Sequence, residues 1–153
     1  MSVQESTHTS GVTQLVSKVH KMDWEEFDEF VDFLSGMMLN DPWVPSCIVG
    51  LARGGLPLAV ALSHRLDVPM HAATFQTRDG EQQDTFVCPP NALVVDDIND
   101  SGLTLTEFMK DQDDTVRTAV LINKDESVYD VYYAAWISPY DNDVWFEFPW
   151  ERK

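Results

Sequence analysis

The stretch that most limits how this chain can fold is Ala92-Leu93-Val94-Val95-Asp96-Asp97-Ile98-Asn99-Asp100-Ser101-Gly102-Leu103-Thr104. Four apolar residues stop abruptly at acids, and small and hydroxylated residues follow. An apolar run closed by turn residues reads as a strand buried on both faces, the kind that parallel sheets contain. Helical spacing begins at Leu103 and runs to Met109, so the three acids are expected in a strand-to-helix loop. In an open α/β sheet, such a loop lies at the carboxyl end of a strand, where ligands bind. Backbone N–H groups at the start of the next helix favour an anion. The loop therefore offers carboxylates for hydroxyls or a metal, beside a cradle for a phosphate. A loop that only caps a helix needs one acid. Three acids in five positions repel one another and make each ionisation costlier, so a cationic or hydroxyl-bearing ligand is expected to offset them.

The rest of the chain supplies the sheet around that strand. Residues 1–12 are rich in Ser, Thr and Gln and are expected to be a loose end. Asp23 and Glu26 form a helix-start signature. Trp24, Phe27, Phe30, Val31, Leu34, Met37 and Met38 then follow at helical spacing and predict one core-facing stripe. Cys47 to Leu51 reads as a strand that runs into Ala52-Arg53-Gly54-Gly55, and a helix is predicted over 56–66 with Pro57 in its first turn. His71–Phe75, Val116–Ile122 and Val131–Ser138 read as further strands. Residues 76–90 are polar and long enough to suggest a functional loop. The tail over 143–151 is too aromatic for a frayed end. Strands alternating with helices predict one α/β domain spanning 1–153, built on a mostly parallel twisted sheet flanked by helices.

Charge narrows the partners. Twenty-six acids against 10 bases give a net charge of −16. That excess argues against nucleic acid, whose backbone needs Lys and Arg. An anionic ligand must then be held by a few placed donors, loop amides or Mg²⁺. No run approaches a membrane span, and residues 1–20 lack the apolar core of a signal peptide. Cys47 and Cys88 form no CxxC pair, so a reducing, cytoplasmic setting is expected. His8, His20, His64 and His71 have no metal-ligand spacing and read as surface or structural residues.

Two motif readings fail, one on residue identity and one on the position of the acid pair. Gly50-Leu51-Ala52-Arg53-Gly54-Gly55 has the glycine spacing of a P-loop, but Leu56 and Pro57 stand where Lys and Ser or Thr are required. Its glycines still let backbone approach an anion, with Arg53 alongside. A phospho-aspartate receiver domain would carry its acid pair after the first strand, whereas here it follows the third.

An Arg-bearing glycine loop and an acidic loop in one sheet are a specific pair. Residues 93–104 closely resemble the phosphoribosyl-pyrophosphate (PRPP) signature of the type I phosphoribosyltransferases: apolar strand, Asp-Asp, two residues, Asp, a small hydroxyl residue, Gly, any residue, Thr. Asn99 is the departure, standing where that family usually has an apolar residue. Ala52-Arg53-Gly54-Gly55-Leu56 is similar to the pyrophosphate loop of the 6-oxopurine branch, which usually has Ser where Ala52 stands. Lys124 at a strand end and Trp145-Phe146-Glu147-Phe148-Pro149-Trp150 resemble that branch's base-reading lysine and tail, so the likeness is closest to the xanthine-guanine enzymes.

The resemblance implies a type I phosphoribosyltransferase fold with a small hood formed largely by the C-terminal segment, residues 125–153. It implies transfer of a 5-phosphoribosyl group from PRPP to guanine, xanthine or hypoxanthine with release of pyrophosphate. Asp96 and Asp97 would take the ribose hydroxyls, with Mg²⁺ at Asp97. Asp100 would act at the purine five-membered ring as proton acceptor or orienting group. Ser101, Gly102, Leu103 and Thr104 would hold the 5′-phosphate. Arg53 and Gly54, preceded by a cis peptide, would hold pyrophosphate, and Arg78 from the 76–84 segment would reach it. Lys124 would donate to the purine 6-oxo group, Trp145 would stack on the base, and backbone near Phe146 would read its edge. A homodimer or homotetramer is expected. The alternatives are a non-catalytic PRPP or nucleotide-binding regulator on the same fold, and a transferase for a different base.

Overall fold

The computed structural model describes residues 18–75, 86–138 and 144–151 in full, and the backbone of 3–5, 77–78 and 81–82. The elements in chain order are β1 (Val3–Glu5), β2 (Lys18–Lys21), α1 (Trp24–Leu39), β3 (Ile48–Ala52), α2 (Leu56–Leu66), β4 (Met70–Thr74), β5 (Thr77–Arg78), β6 (Glu81–Gln82), β7 (Leu93–Asn99), α3 (Leu103–Met109), β8 (Arg117–Lys124), β9 (Tyr133–Ser138) and β10 (Val144–Glu147), closed by a 3₁₀ turn over Pro149–Glu151. Five strands form the main sheet in the order β4-β3-β7-β8-β9. Every pairing in it is parallel, and the apolar start of β7 makes it the central strand.

Alternation along each strand divides the core into two layers. Ile48, Leu93, Val95, Ala119 and Leu121 face one side, where they pack with Phe27, Val31, Leu34 and Met38 of α1 and Leu58 and Leu62 of α2. Val49, Leu51, Val94 and Val120 face the other side and meet Leu105 and Phe108 of α3. Leu34, Leu58 and Leu62 are wholly buried, and each contributes about 1.5–3 kcal/mol relative to leaving it exposed.

Several expectations change. Asp96 and Asp97 lie on β7 itself, because pairing with β8 continues through Asp96↔Val120 and Ile98↔Ile122 to Asn99↔Asn123. Only Asp100 of the three acids sits in the loop. Trp24 is 56% exposed and leaves the α1 core stripe, its ring lying edge-on to Phe27 and tilted against Trp150. Asp23 caps α1 by accepting from Glu26 N at 2.8 Å. The Glu26 carboxylate bonds His20 Nε2 at 2.5 Å.

The second sheet has the order β1-β2-β10. Its C-terminal strand lies parallel to β2, and β1 runs antiparallel on the other side. The hood therefore draws two of its three strands from the N-terminal end, and Val3–Glu5 departs from the expectation of a loose end over 1–12. Tyr133–Ser138, which the resemblance would include in a 125–153 hood, belongs to the main sheet.

Candidate active site

Three chain segments meet at the carboxyl ends of β3, β7 and β8. The first is the turn after β3. The Ala52–Arg53 peptide is cis, as the resemblance implied. Gly55 N donates to Leu51 O at 2.8 Å, and α2 starts with Pro57 in its first turn. This turn presses directly on the acid pair. A Cβ on Gly54 would lie 2.3 Å from Asp97 Oδ2, and one on Gly55 would lie 2.4 Å from Val95 O. The glycines are thus required by close approach, and Arg53, the residue before Gly54, is exposed.

The second segment is the acid pair and its loop. Asp96 Oδ1 accepts from Asp97 N at 2.9 Å, and Asp97 Oδ1 accepts from Ile98 N at 2.8 Å. Burial pushes the Asp96 carboxyl up to about 8, and the neighbouring Asp97 charge adds to this. Burial also raises Asp97, and Glu151 nearby pushes in the same direction. The pair is therefore short of counter-charge. Beyond it, Ser101 Oγ accepts from Leu103 N at 3.3 Å. Gly102 has φ +91°, a conformation that disfavours a side chain. The loop after β8 seals it: a Cβ on Gly102 would lie 2.5 Å from Ser127 Oγ and 2.7 Å from Tyr129 N.

The third segment is the tail against Lys124. Lys124 ends β8, is 7% exposed, and donates from Nζ to Val144 O at 2.8 Å. Its ammonium lies 5.3 Å from the centre of the Phe146 ring. Trp145, the neighbour of Phe146 on β10, is 69% exposed with its indole at the surface. Pro149–Glu151 folds back, and Glu151 Oε1 accepts from Phe148 N at 2.9 Å.

The second and third segments enclose two adjoining hollows. One, of about 220 Å³, is lined by residues 96–102 and Thr104. The other, of about 130 Å³, lies between Asp97, Ile98, Asp100 and Lys124 on one wall and Val144, Trp145, Phe146, Phe148 and Glu151 on the other. Asp97, Ile98 and Asp100 line both. A ligand spanning the two would place its middle over Asp97 and Asp100. Elsewhere, Arg65 pairs with Asp28 and Asp32, Arg117 with Asp41, and Lys110 with Glu107.

Asp96, Asp97, Asp100, Ser101, Gly102, Thr104, Lys124, Trp145 and Phe146 all line these hollows, and Gly54 adjoins them through Asp97, while the exposed Arg53 lines neither. Leu103 is 63% exposed and contributes only backbone at the start of α3. The side chain of Arg78, and most of 76–84, lie outside the described residues. Sequence reasoning assigned no role to Glu151 or Ile98. Glu151 follows directly on the Trp150 that ends the recognised tail pattern, and that position was the available signal. Among the described residues, no three His, Cys, Asp or Glu side chains converge as a metal cage. An undercharged carboxylate pair beside a glycine-bearing loop nevertheless fits Mg²⁺, which takes one or two carboxylates together with substrate phosphate oxygens.

Fold and site define an enzyme that moves a phosphoribosyl group. The phosphoribosyl transferase domain family matches residues 23–152, and the chain belongs to that family. Among solved structures, it is similar to the purine phosphoribosyltransferase of Pyrococcus horikoshii, with 26% identity, TM-score 0.71, and 88% of this chain and 95% of that chain covered. The xanthine-guanine-hypoxanthine phosphoribosyltransferase of Helicobacter pylori shares the fold at 23% identity and TM-score 0.72, covering 87% and 93%. So does the hypoxanthine phosphoribosyltransferase of Trypanosoma cruzi with its product IMP, at 19% identity and TM-score 0.62, covering 75% and 77%. No curated protein matches the sequence. Among the described residues, no helix is long and apolar enough to cross a membrane.

Proposed function

We propose that the protein transfers the 5-phosphoribosyl group of PRPP to a 6-oxopurine, releasing pyrophosphate and forming the nucleoside monophosphate. The observation that carries this reading is the pair of hollows joined at Asp97 and Asp100. The 220 Å³ hollow suits the 5′-phosphate and ribose, and the 130 Å³ hollow suits a flat base. The IMP complex of the similar Trypanosoma cruzi enzyme supports a purine nucleotide as occupant.

In this reading, amides and hydroxyls of Ser101–Thr104 hold the 5′-phosphate. Asp96 and Asp97 accept from the two ribose hydroxyls. Arg53 and the neighbouring amides take the charge that builds on pyrophosphate as the C1–oxygen bond breaks. Asp97 would hold Mg²⁺, which would supply the counter-charge that the acid pair lacks. Asp100 accepts or orients the proton of the purine five-membered ring. Lys124 donates to the 6-oxo group, and an adenine amino group, itself a donor, is rejected there. Trp145 stacks on the base, and the Phe146 backbone reads its edge. Free Cys47 and Cys88 accord with a cytoplasmic setting, and a homodimer or homotetramer is the proposed assembly.

Pyrophosphate release, measured with PRPP, Mg²⁺ and a panel of bases, tests the reading. Turnover is expected with at least one of guanine, xanthine and hypoxanthine, and none with adenine, orotate or uracil. PRPP binding without turnover of any base would overturn it in favour of a regulator.

A further inference from the structure

Asn99 ends the central strand and is 2% exposed. It stands in register with Asn123 on β8. Its Nδ2 donates to Asn123 Oδ1 at 2.8 Å and to Tyr129 O at 2.8 Å. Both partners lead to a ligand-facing part of the site. Asn123 immediately precedes Lys124. Tyr129 belongs to the loop that closes over Gly102, and in that loop Val128 N donates to Ser101 O at 3.0 Å. Asn99 also lines the phosphate-sized hollow. One buried amide thus joins the strand bearing the ribose acids, the loop behind the phosphate cradle, and the strand end bearing the base-reading lysine.

We propose that Asn99 is a positioning residue, which sets residues 127–129 against Ser101 and Gly102 and so fixes the 5′-phosphate cradle relative to the base pocket. The inference rests on the phosphate-cradle reading above. A buried amide that donates twice holds its acceptors in one arrangement, because either acceptor left unpaired must find another donor. Without Asn99, Tyr129 O keeps only the 3.4 Å bond from Ser127 Oγ, and the 127–129 loop is drawn toward solvent. The Val128–Ser101 bond moves with it. Folding responds less than function does. Asn99 Oδ1 is itself buried with no donor among the described residues, and an apolar replacement removes that unpaired acceptor together with the two donated bonds.

The test compares binding of guanosine 5′-monophosphate and of guanosine, by calorimetry, in wild type and Asn99→Val, with melting temperatures alongside. Wild type is expected to prefer the monophosphate. In Asn99→Val, that preference should shrink by about tenfold while guanosine binding changes by less than about twofold. Asn123→Val should lose part of the same preference, and should lose nothing further when combined with Asn99→Val. An unchanged preference in a folded Asn99→Val overturns the proposal. Equal losses for both ligands also overturn it, because they mark a general structural defect. If Asn99→Val does not fold, the comparison is made with Asn123→Val, and either of those two results there overturns the proposal in the same way. A wild type that shows no preference for the monophosphate overturns the phosphate-cradle reading beneath the proposal instead.

Discussion

Gly54→Ala and Gly55→Ala should fail in different ways, although the positions are adjacent. A Cβ on Gly54 would lie 2.3 Å from Asp97 Oδ2, 2.7 Å from its Cγ and 3.0 Å from Oδ1. Ordinary contact begins at 3.4 Å, so the carboxylate must give way by about 1 Å. It can do so by rotating, at a cost of about 1 kcal/mol for the rotamer and the loss of its bond from Ile98 N. The chain still folds, but the group proposed to take ribose and Mg²⁺ is displaced. A displacement of about 1 Å in a positioning group costs on the order of a hundredfold in rate. A Cβ on Gly55 would instead meet Val95 O at 2.4 Å, Leu51 O at 2.9 Å and Asp96 Cα at 3.0 Å, all backbone of paired strands. None of these can swing aside, so Gly55→Ala should cost about 1–3 kcal/mol or more of stability. At roughly 2–4 °C per kcal/mol for a chain of this size, melting should fall by several degrees. Steady-state turnover of PRPP and thermal melting of both variants make the comparison. Gly54→Ala with near wild-type kcat/KM would refute the claim that the turn is pressed against a functional carboxylate. A melting loss in Gly54→Ala as large as in Gly55→Ala would do the same.

Three further outcomes follow from the site. Asp100→Asn should lower kcat far more than it weakens PRPP binding, and equal losses would make Asp100 a ligand-holding residue only. Lys124→Ala should raise KM for the base with little effect on PRPP, and the variant's melting curve will separate this from the loss of the Val144 bond. Stability without Mg²⁺ should fall as pH rises from about 4 to about 8, because the folded chain holds a proton at Asp96 that the unfolded chain has already released. Asp96→Asn should flatten that slope. The effect is on the order of a few kcal/mol at most, and a melting temperature that climbs steadily across the range would contradict it.

The parts of this fold legible in the sequence are those where local composition and tertiary pairing agree. β3, β7 and β8 each contain an apolar run that only a doubly covered sheet can bury, and α3 falls over 103–109 as its spacing predicts. Composition places the acids in a loop because Asp is a poor strand former, yet pairing with β8 holds Asp96 and Asp97 in the strand. Lys18–Lys21 is not legible as a strand because Lys-Val-His-Lys has almost no apolar signal. It is a strand because β10 and β1 pair on either side of it. Trp24 has the right spacing for the core stripe, but its ring packs at the surface against Trp150, a contact between distant parts of the chain. Of the site, the PRPP-like residues are legible as a motif. Glu151 and the Asn99–Asn123 bond require the tail and β8 to be placed in space.

The most direct test of the account is a crystal structure of the protein with Mg²⁺, pyrophosphate and a 6-oxopurine nucleoside monophosphate. The account predicts the 5′-phosphate on the amides of Ser101–Thr104, the ribose hydroxyls on Asp96 and Asp97, pyrophosphate at Arg53, and the base between Lys124 and Trp145. A nucleotide bound with its base in the 96–104 hollow, or with its phosphate away from Ser101–Thr104, would contradict it.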